Sequence, residues 1–428
     1  MRVLEGNKPT TVYAGFDPTA PSLHVGNLLI LSSLLHFHRA GHQVVILVGG
    51  ATARIGDPSG KNSDRYLQVR IGRSFRDIFR EELGDAVIDN NLVGIKENIE
   101  RVFRNHDEIF WSEERGKLKD IIIVDNSDWY RKMNIIDFLA SVGRNLRMGR
   151  MLGRTSVKSR IESDIGLSLT EFTYQAFQAF DWLHLLRSRR CRVQVGGKDQ
   201  LGNIVAGQEM ISKEGEEEVW GVTVPLIVNE EGHKFGKSAG APVWLSPALT
   251  SPFSLYQFMM RLPDSQMEKM LSYFTFLPHQ ELEDLLESHQ SQPEKRSAQT
   301  CLARQVTLLV HGEAGLEMAE KTTNILYHQD LNTLAGLSLD QARQIFTGAP
   351  FLQRLFSPGL SVLDLATKVG CFRTEKDAIR IIRAGGFSVN MVKIQNTEEI
   401  LTHGKHIMAN GLTLVRVGKK NYYIVEWT

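Results

Sequence analysis

Cysteine is scarce in this chain: Cys191, Cys301 and Cys371 are the only three in 428 residues, and they lie far apart. That spacing supplies neither a disulfide framework nor a zinc-ligand pattern, and it fits a reducing compartment. No apolar run approaches the roughly 18 residues of a membrane span. An excess of one charge is also missing. Fifty Lys and Arg face 49 Asp and Glu, a formal net charge of +1, which excludes a wholesale basic coat for nucleic acid. There is no internal repeat and no low-complexity segment. The opening MRVLEGNKPTTVYAG is too short to hold a transit or signal peptide before the first expected strand.

What is present is ordinary for a globular chain of two or three domains, with 42% apolar and 23% charged residues. Charge is uneven along it. Residues 355–428 hold ten Lys/Arg against six Asp/Glu, a local excess that permits an RNA partner.

Read in order, TVYA (11–14) is a short strand, GFDPTAPS a turn-rich loop, 26–40 a helix ending at Gly41, and QVVILVGG (43–50) a second strand. Strand, helix and strand in this span form a βαβ unit, hence a parallel sheet with ligands at the strand ends. The G-x-G-x-x-G usual at this point is absent; His24, Gly26 and Asn27 occupy its place in SLHVGNLL (22–29). DIIIVDN (120–126) and RVQVGG (192–197) are further strands, and 134–148 and 170–189 further helices. From about 250 to 350 the pattern is helical. SPGLS (357–361) reads as a linker, and the tail as two helices, a Gly-Gly turn and short strands.

Four stretches carry polar groups to positions where chemistry is possible. On EFTYQAFQAFDWL (171–183), Tyr174, Gln178 and Asp181 fall within about 60° of one another at helical spacing, on a helix otherwise apolar nearly all round. The stripe is either solvent-facing or the wall of a pocket for a polar small molecule. GGATARIGDPSGK (49–61) puts Asp57 and Lys61 beyond a strand's carboxyl end, or is simply a surface turn at DPSG. VGGKDQLGN (195–203) sets Asp199 and Gln200 after Gly197, groups that suit ribose hydroxyls or an amino acid's head group. In EGHKFGKSAG (231–240), Lys234 and Lys237 flank Gly236 in a segment with little helix or strand character.

Together these stretches resemble the class I aminoacyl-tRNA synthetases. HVGN is similar to the HIGH signature of that class, with Asn27 for its last histidine, and KFGKS to its KMSKS loop. YAGFDPTAPSLHVGN, VGGATARIGDPSG, EFTYQAFQAFD, QVGGKDQLGN and KFGKSAG resemble the tyrosyl-tRNA synthetases in order and spacing, and TEKDAIRIIRAGGFSVN resembles the small RNA-binding fold of a ribosomal protein. FDPTAPSLHVG, RMGRML, GKSAGAPVWLS and SPFSLYQF resemble the animal mitochondrial branch.

The resemblance implies a Rossmann-like α/β catalytic domain over 1–248, an α-helical anticodon-binding domain over 249–356 and a small α+β RNA-binding domain over 357–428. It implies tyrosine activation by ATP to an adenylate and transfer of the tyrosyl group to tRNA(Tyr). His24, Asn27, Thr19, Lys61, Arg65, Lys234 and Lys237 would meet the phosphates. Tyr13 and Asp181 would hold the substrate phenol, Asp57, Tyr174 and Gln178 its ammonium, and Gln200 its carboxylate. Gly15, Asp17, Gly26, Gly197 and Asp199 would line the ATP and ribose region. Arg373, Lys376, Arg380 and Arg383 are the expected RNA contacts. ATP enters as substrate with Mg2+, without a dedicated metal site on the protein. A homodimer is expected, with no membrane attachment, in the mitochondrial matrix or else the cytoplasm. The rivals are a tryptophanyl enzyme, a small-molecule nucleotidyltransferase and a non-catalytic RNA-binding paralogue.

Three departures stand out. Asn27 replaces the second histidine but keeps an N–H to donate. Ala14 stands where relatives often have a cysteine, so weaker ATP binding is expected. Most of the family's leading helical segment is missing, which fits a truncated or processed form.

Overall fold

The computed structural model describes residues 9–59, 84–163, 166–215, 217–227, 235–238, 241–327, 331–346, 349–418 and 421–428. The chain divides into two compact units, one running to Ser246 and including Tyr273–Phe276, the other made of Pro247–Ser272 and Leu277–Thr428.

In the first unit, strands β1 (Thr11–Phe16), β2 (Gln43–Val48), β3 (Ile122–Asp125), β4 (Cys191–Gly197) and β5 (Trp220–Val224) pair in parallel, in the order β3-β2-β1-β4-β5. β2 reads QVVILV without alternation and is buried at five of six positions, as a strand covered on both faces must be. Helix α1 (Val25–Arg39) links β1 to β2, α2 (Thr52–Ile55) follows β2, and α3 (Asp85–Asn105) precedes β3. The chain leaves β1 toward β2 on one side and β4 lies on the other. A ligand crevice opens at the carboxyl ends of strands at such a reversal.

Helix α4 (Leu169–Arg189) is started by a capping box: Ser168 Oγ accepts from the Glu171 N–H at 3.1 Å, and Glu171 accepts from the Ser168 N–H at 3.3 Å. Arg160 donates to both Glu171 oxygens at 3.0 and 3.1 Å, so this buried carboxylate is paired. Trp182 anchors α4 to α5 (Leu201–Lys213). A Cβ on Gly207 would come within 2.7 Å of the Trp182 ring, so only glycine permits this approach.

The helix expected over 134–148 forms over 135–145 as one continuous run, α-helical at Ile135–Phe138 and π-helical at Leu139–Gly143, and a separate short helix follows at Met148–Leu152. Its inner face, Phe138 and Val142, is buried in the core with Phe177 packed against it, while Ile135, Ile136 and Leu139 are exposed. Tyr273–Phe276 belongs to the first unit although its chain neighbours belong to the second. Phe276 lies against His36 and His106, with ring centroids 5.2 and 4.9 Å away, and the Arg39 guanidinium sits 4.9 Å over its ring.

In the second unit, α6 (Pro252–Met260) packs along α7 (Ser297–Tyr327), which kinks at Gly312, and Gln257 donates to Thr323 Oγ1 at 2.9 Å. The first unit closes with two-residue strands β6 (Lys237–Ser238) and β7 (Ala241–Pro242). The second has a five-stranded sheet of β8 (Phe351–Arg354), β9 (Phe387–Val389), β10 (Val392–Ile394), β11 (Leu412–Val417) and β12 (Asn421–Trp427), in the order β10-β9-β11-β12-β8. Only the β12–β8 pairing is parallel. Period-two alternation gives the sheet two apolar faces. Leu412, Leu414, Tyr422 and Ile424 pack with Ile325, Leu326 and Phe346, while Val415, Val425 and Trp427 pack with Val362, Leu365 and Ile382. The last three come from α8 (Val362–Lys368) and α9 (Glu375–Arg383). β8 precedes the expected linker, so the sheet takes strands from both sides of residues 357–361.

Candidate active site

At one end of the crevice, His24 stands just before α1. Its backbone N–H donates to Asn27 Oδ1 at 3.1 Å. The Val25 N–H donates to the Val243 carbonyl at 2.9 Å and the Leu245 N–H to the Leu23 carbonyl at 2.8 Å, stitching the helix start to the segment after KFGKS. Phe235 and Gly236 lie directly over it. Gly236 has φ of 95°, and a Cβ there would be 3.2 Å from the Gly26 nitrogen and 3.8 Å from Val25 Cβ. The two signature stretches, some 210 residues apart in sequence, therefore touch. Phe235 is buried and stacks on Phe274 at 5.9 Å.

Lys61, Arg65 and Lys234 lie outside the described residues, and Lys237 is described by its backbone strand alone. Thr19 is half-buried, its N–H donating to the Asp17 carbonyl at 2.8 Å. At the end of β1, Gly15 is exposed and Ala14 is buried.

The middle of the crevice is lined by carboxylates. Asp17 accepts from Thr52 Oγ1 and from the Tyr174 hydroxyl, both at 2.7 Å. A Cβ on Gly49 would collide with Asp17 Oδ1 and Thr52 Oγ1, so the glycine after β2 is what lets that carboxylate sit there. Burial, and then the charges of Asp17 and Asp57, push the Tyr174 phenol well above its ordinary value. Asp57 accepts from the Ser59 N–H at 2.8 Å, the local turn bond of a DPS sequence, and also from Gln200 Nε2 at 2.6 Å. Asn203 Nδ2 donates to Gln200 Oε1 at 3.1 Å. Asp199 and Gln200 are half-buried in the turn that follows the buried Gly197.

The other end is drier. Asp181 is 1% exposed on α4. Its Oδ1 accepts from Trp129 Nε1 at 3.0 Å and the Tyr130 hydroxyl at 2.8 Å, and its Oδ2 accepts from Asn126 Nδ2 at 3.1 Å. Burial raises its carboxyl to about 7, against the opposing pull of those three donors. Tyr13, on β1, is also 1% exposed, and its hydroxyl is buried with no hydrogen-bond partner. Burial, with Cys191 and Asp181 near, holds its phenol well above the ordinary range. The polar stripe of α4 is thus buried at Tyr174 and Asp181 and half-buried at Gln178, not solvent-facing.

The sequence matches the family described as tRNA synthetases class I (W and Y) over residues 5–328. It is 53% identical to the mitochondrial tyrosine–tRNA ligase of Drosophila melanogaster, over 100% of this chain and 89% of that one. It is 44% identical to the mitochondrial tyrosine–tRNA ligase of Homo sapiens, over 98% of this chain and 84% of that one. A solved structure, the C-terminally truncated mitochondrial tyrosyl-tRNA synthetase of Aspergillus nidulans, is similar with a TM-score of 0.65 and 31% identity, over 76% of this chain and 89% of that one.

This chain belongs to the tyrosine–tRNA ligases. As a member of that family it activates tyrosine with ATP and transfers the tyrosyl group to tRNA, and its affinity is with the mitochondrial branch. Neither the tryptophanyl reading nor the non-catalytic one is favoured by relatives so similar along the whole chain. Around the tyrosine ligase site, sequence reasoning missed Thr52, Asn126, Trp129, Tyr130 and Asn203. Three of these lie in NSDWY, directly after β3 at the same carboxyl edge as the other groups. Among the described residues no group of three or more His, Cys, Asp and Glu could hold a metal ion, and no described helix is long and apolar enough to cross a membrane. In the second unit Lys376, Arg380 and Arg383 are exposed along α9, and Arg373 is exposed just before it. Arg380 is paired with Asp377 at 2.9 Å.

Proposed function

We propose that the crevice divides the ligase reaction along its length. Tyr13 and Asp181 bind the substrate phenol. The observation that carries this is a matched pair of unfilled valences. An ionised carboxylate has about four acceptor directions, and Asp181 uses three of them, leaving one on Oδ2. The Tyr13 hydroxyl is a buried donor without an acceptor. A substrate hydroxyl that donates to Oδ2 and accepts from Tyr13 satisfies both, and a phenylalanine ring satisfies neither.

Asp57, Tyr174 and Gln178 take the ammonium, with Asp17 bound to the Tyr174 hydroxyl behind them, and Gln200 faces the carboxylate that attacks the α-phosphate. His24, Asn27, Thr19, Lys61, Arg65, Lys234 and Lys237 meet the phosphate charge as pyrophosphate departs, together with N–H groups at the α1 start. Gly15, Gly26, Gly197, Asp17 and Asp199 accommodate the nucleotide and its ribose. Mg2+ arrives on ATP as the counter-ion of the substrate's phosphates.

In the second unit, 249–356 is the anticodon-binding part and 357–428 an RNA-binding tail that uses Arg373, Lys376, Arg380 and Arg383. The ligase works as a homodimer in the mitochondrial matrix. Support for the dimer comes from Ile135, Ile136, Leu139, Met148 and Leu169, which are 66, 70, 56, 60 and 78% exposed within one stretch of the first unit.

ATP–pyrophosphate exchange with tyrosine, phenylalanine and tryptophan tested separately checks the assignment. Exchange with tyrosine alone is expected. Exchange with phenylalanine at a comparable rate would remove Tyr13 and Asp181 from the phenol.

A further inference from the structure

Tyr130 is a residue that no signature stretch contains, yet its hydroxyl reaches the most buried carboxylate of the site. It lies 2.8 Å from Asp181 Oδ1 and 2.8 Å from the Phe177 carbonyl. A phenol has one proton to donate, so these two acceptors compete for it. The Phe177 carbonyl lies one helical turn before Asp181 in α4 and takes the regular i→i−4 bond from its N–H. The carboxylate is the stronger acceptor because it carries the charge. The Tyr130 proton therefore belongs to Oδ1. Its ring is fixed by Phe177, Phe180 and Phe138, with centroids 5.0, 5.9 and 6.2 Å away, so the hydroxyl is aimed before substrate arrives.

We propose that Tyr130 is a positioning and specificity residue for tyrosine. Together with Trp129 it fills Oδ1 of Asp181, so the only open acceptor direction, on Oδ2, is turned to the substrate's hydroxyl. This deepens the phenol-site reading and rests on it.

The same bond favours the ionised carboxyl over the protonated one, against the burial that raises it to about 7. The titratable groups facing Asp181 are Tyr13 from β1, Asp17 just beyond β1, Tyr130 from the turn after β3 and Tyr174 on its own helix; the three phenols are held well above the neutral range. Between pH 6 and 9, then, the carboxyl of Asp181 is the group that titrates at this end of the pocket. Taking away the Tyr130 hydroxyl moves that titration upward.

The test is equilibrium dialysis of L-tyrosine and L-phenylalanine against the full-length protein without ATP, from pH 6 to 9, for the wild type and Tyr130→Phe. Tyr130→Phe is expected to weaken tyrosine binding about fivefold near pH 7, because a carboxyl midpoint raised by about one unit from about 7 leaves roughly a tenth rather than half of the carboxyl ionised there, and to leave phenylalanine binding unchanged. The midpoint of acid-side loss should move up by about one pH unit, so that part of the lost affinity returns toward pH 9. Tyr130→Leu, which keeps an apolar contact with Phe177, should behave the same way.

Unaltered affinity, or a loss of equal size at every pH, would overturn the role of Tyr130. Tyr13→Phe and Asp181→Asn are run in parallel. If they too leave discrimination against phenylalanine intact, the phenol-site reading fails. If they abolish it while Tyr130→Phe does not, only the proposal for Tyr130 fails.

Discussion

At the proposed phenol end of the crevice, Asp181 and Tyr13 are each 1% exposed and Asp181 takes three hydrogen bonds; at the other end His24, Gly26 and Asn27 are half-buried, with the His24 N–H bonded to Asn27 Oδ1. The dry end is assembled in advance. Its groups are fixed by helix α4, by strand β1 and by the turn after β3, and each unpaired polar atom there costs free energy until the right substrate fills it. The described groups at the other end, His24, Gly26 and Asn27, are only half-buried, where a charged ligand can still meet water. On the proposed division of the crevice, selectivity and rate enhancement sit in different surroundings: one requires exclusion of water, the other requires access for a charged triphosphate.

The largest way to break this contrast is Asp181→Ala. It strands the donors of Asn126, Trp129 and Tyr130 and removes the acceptor for the phenol. Tyrosine-dependent pyrophosphate exchange should fall in kcat/KM by about 10³-fold, or roughly 4 kcal/mol. A loss smaller than tenfold would mean that selectivity does not reside at the dry end. His24→Ala comes next. A group that meets charge mainly in the transition state should cost about 10²-fold in kcat while tyrosine affinity measured by dialysis stays within twofold of wild type. Were tyrosine affinity to fall in step with kcat, the two ends would not be separable. The smallest effect is expected from Ala14→Cys, at the buried end of β1. A weak donor restored near the ribose region should lower the ATP KM by about threefold, with tyrosine KM unchanged; an unchanged ATP KM would show that position 14 makes no difference to the nucleotide.

Much of this was legible in the sequence where one residue type does one job. The unalternating QVVILV marked a strand, and Tyr174 with Asp181 at helical spacing on an apolar helix left two readings, a solvent-facing stripe or a pocket wall, of which the burial of both residues selects the second. The π-turn at Leu139–Gly143 was not legible, because an apolar stretch in a π-helical turn reads the same as one in an α-helix. Nor was the Asp17–Tyr174 bond, which joins residues 157 positions apart, or the collision that makes Gly49 necessary. Asn126, Trp129 and Tyr130 lie in a turn whose polar composition is commonplace. Their meaning appears only when β3 is placed in the sheet, with β2 and β1 between it and β4, and the turn after it reaches Asp181 on α4.

The short excursion at Tyr273–Phe276 has a bearing on how the protein is made. Phe274 supports Phe235, and Phe276 fills the aromatic and cationic surroundings of His36, His106 and Arg39, so the first unit lacks part of its interior until these four residues exist. Folding of an N-terminal unit during synthesis ordinarily begins once its chain has emerged. Here completion waits a further thirty residues beyond Ser246, until Phe276 has cleared the ribosome. Phe235 therefore gains its Phe274 partner only after the second unit has begun to appear.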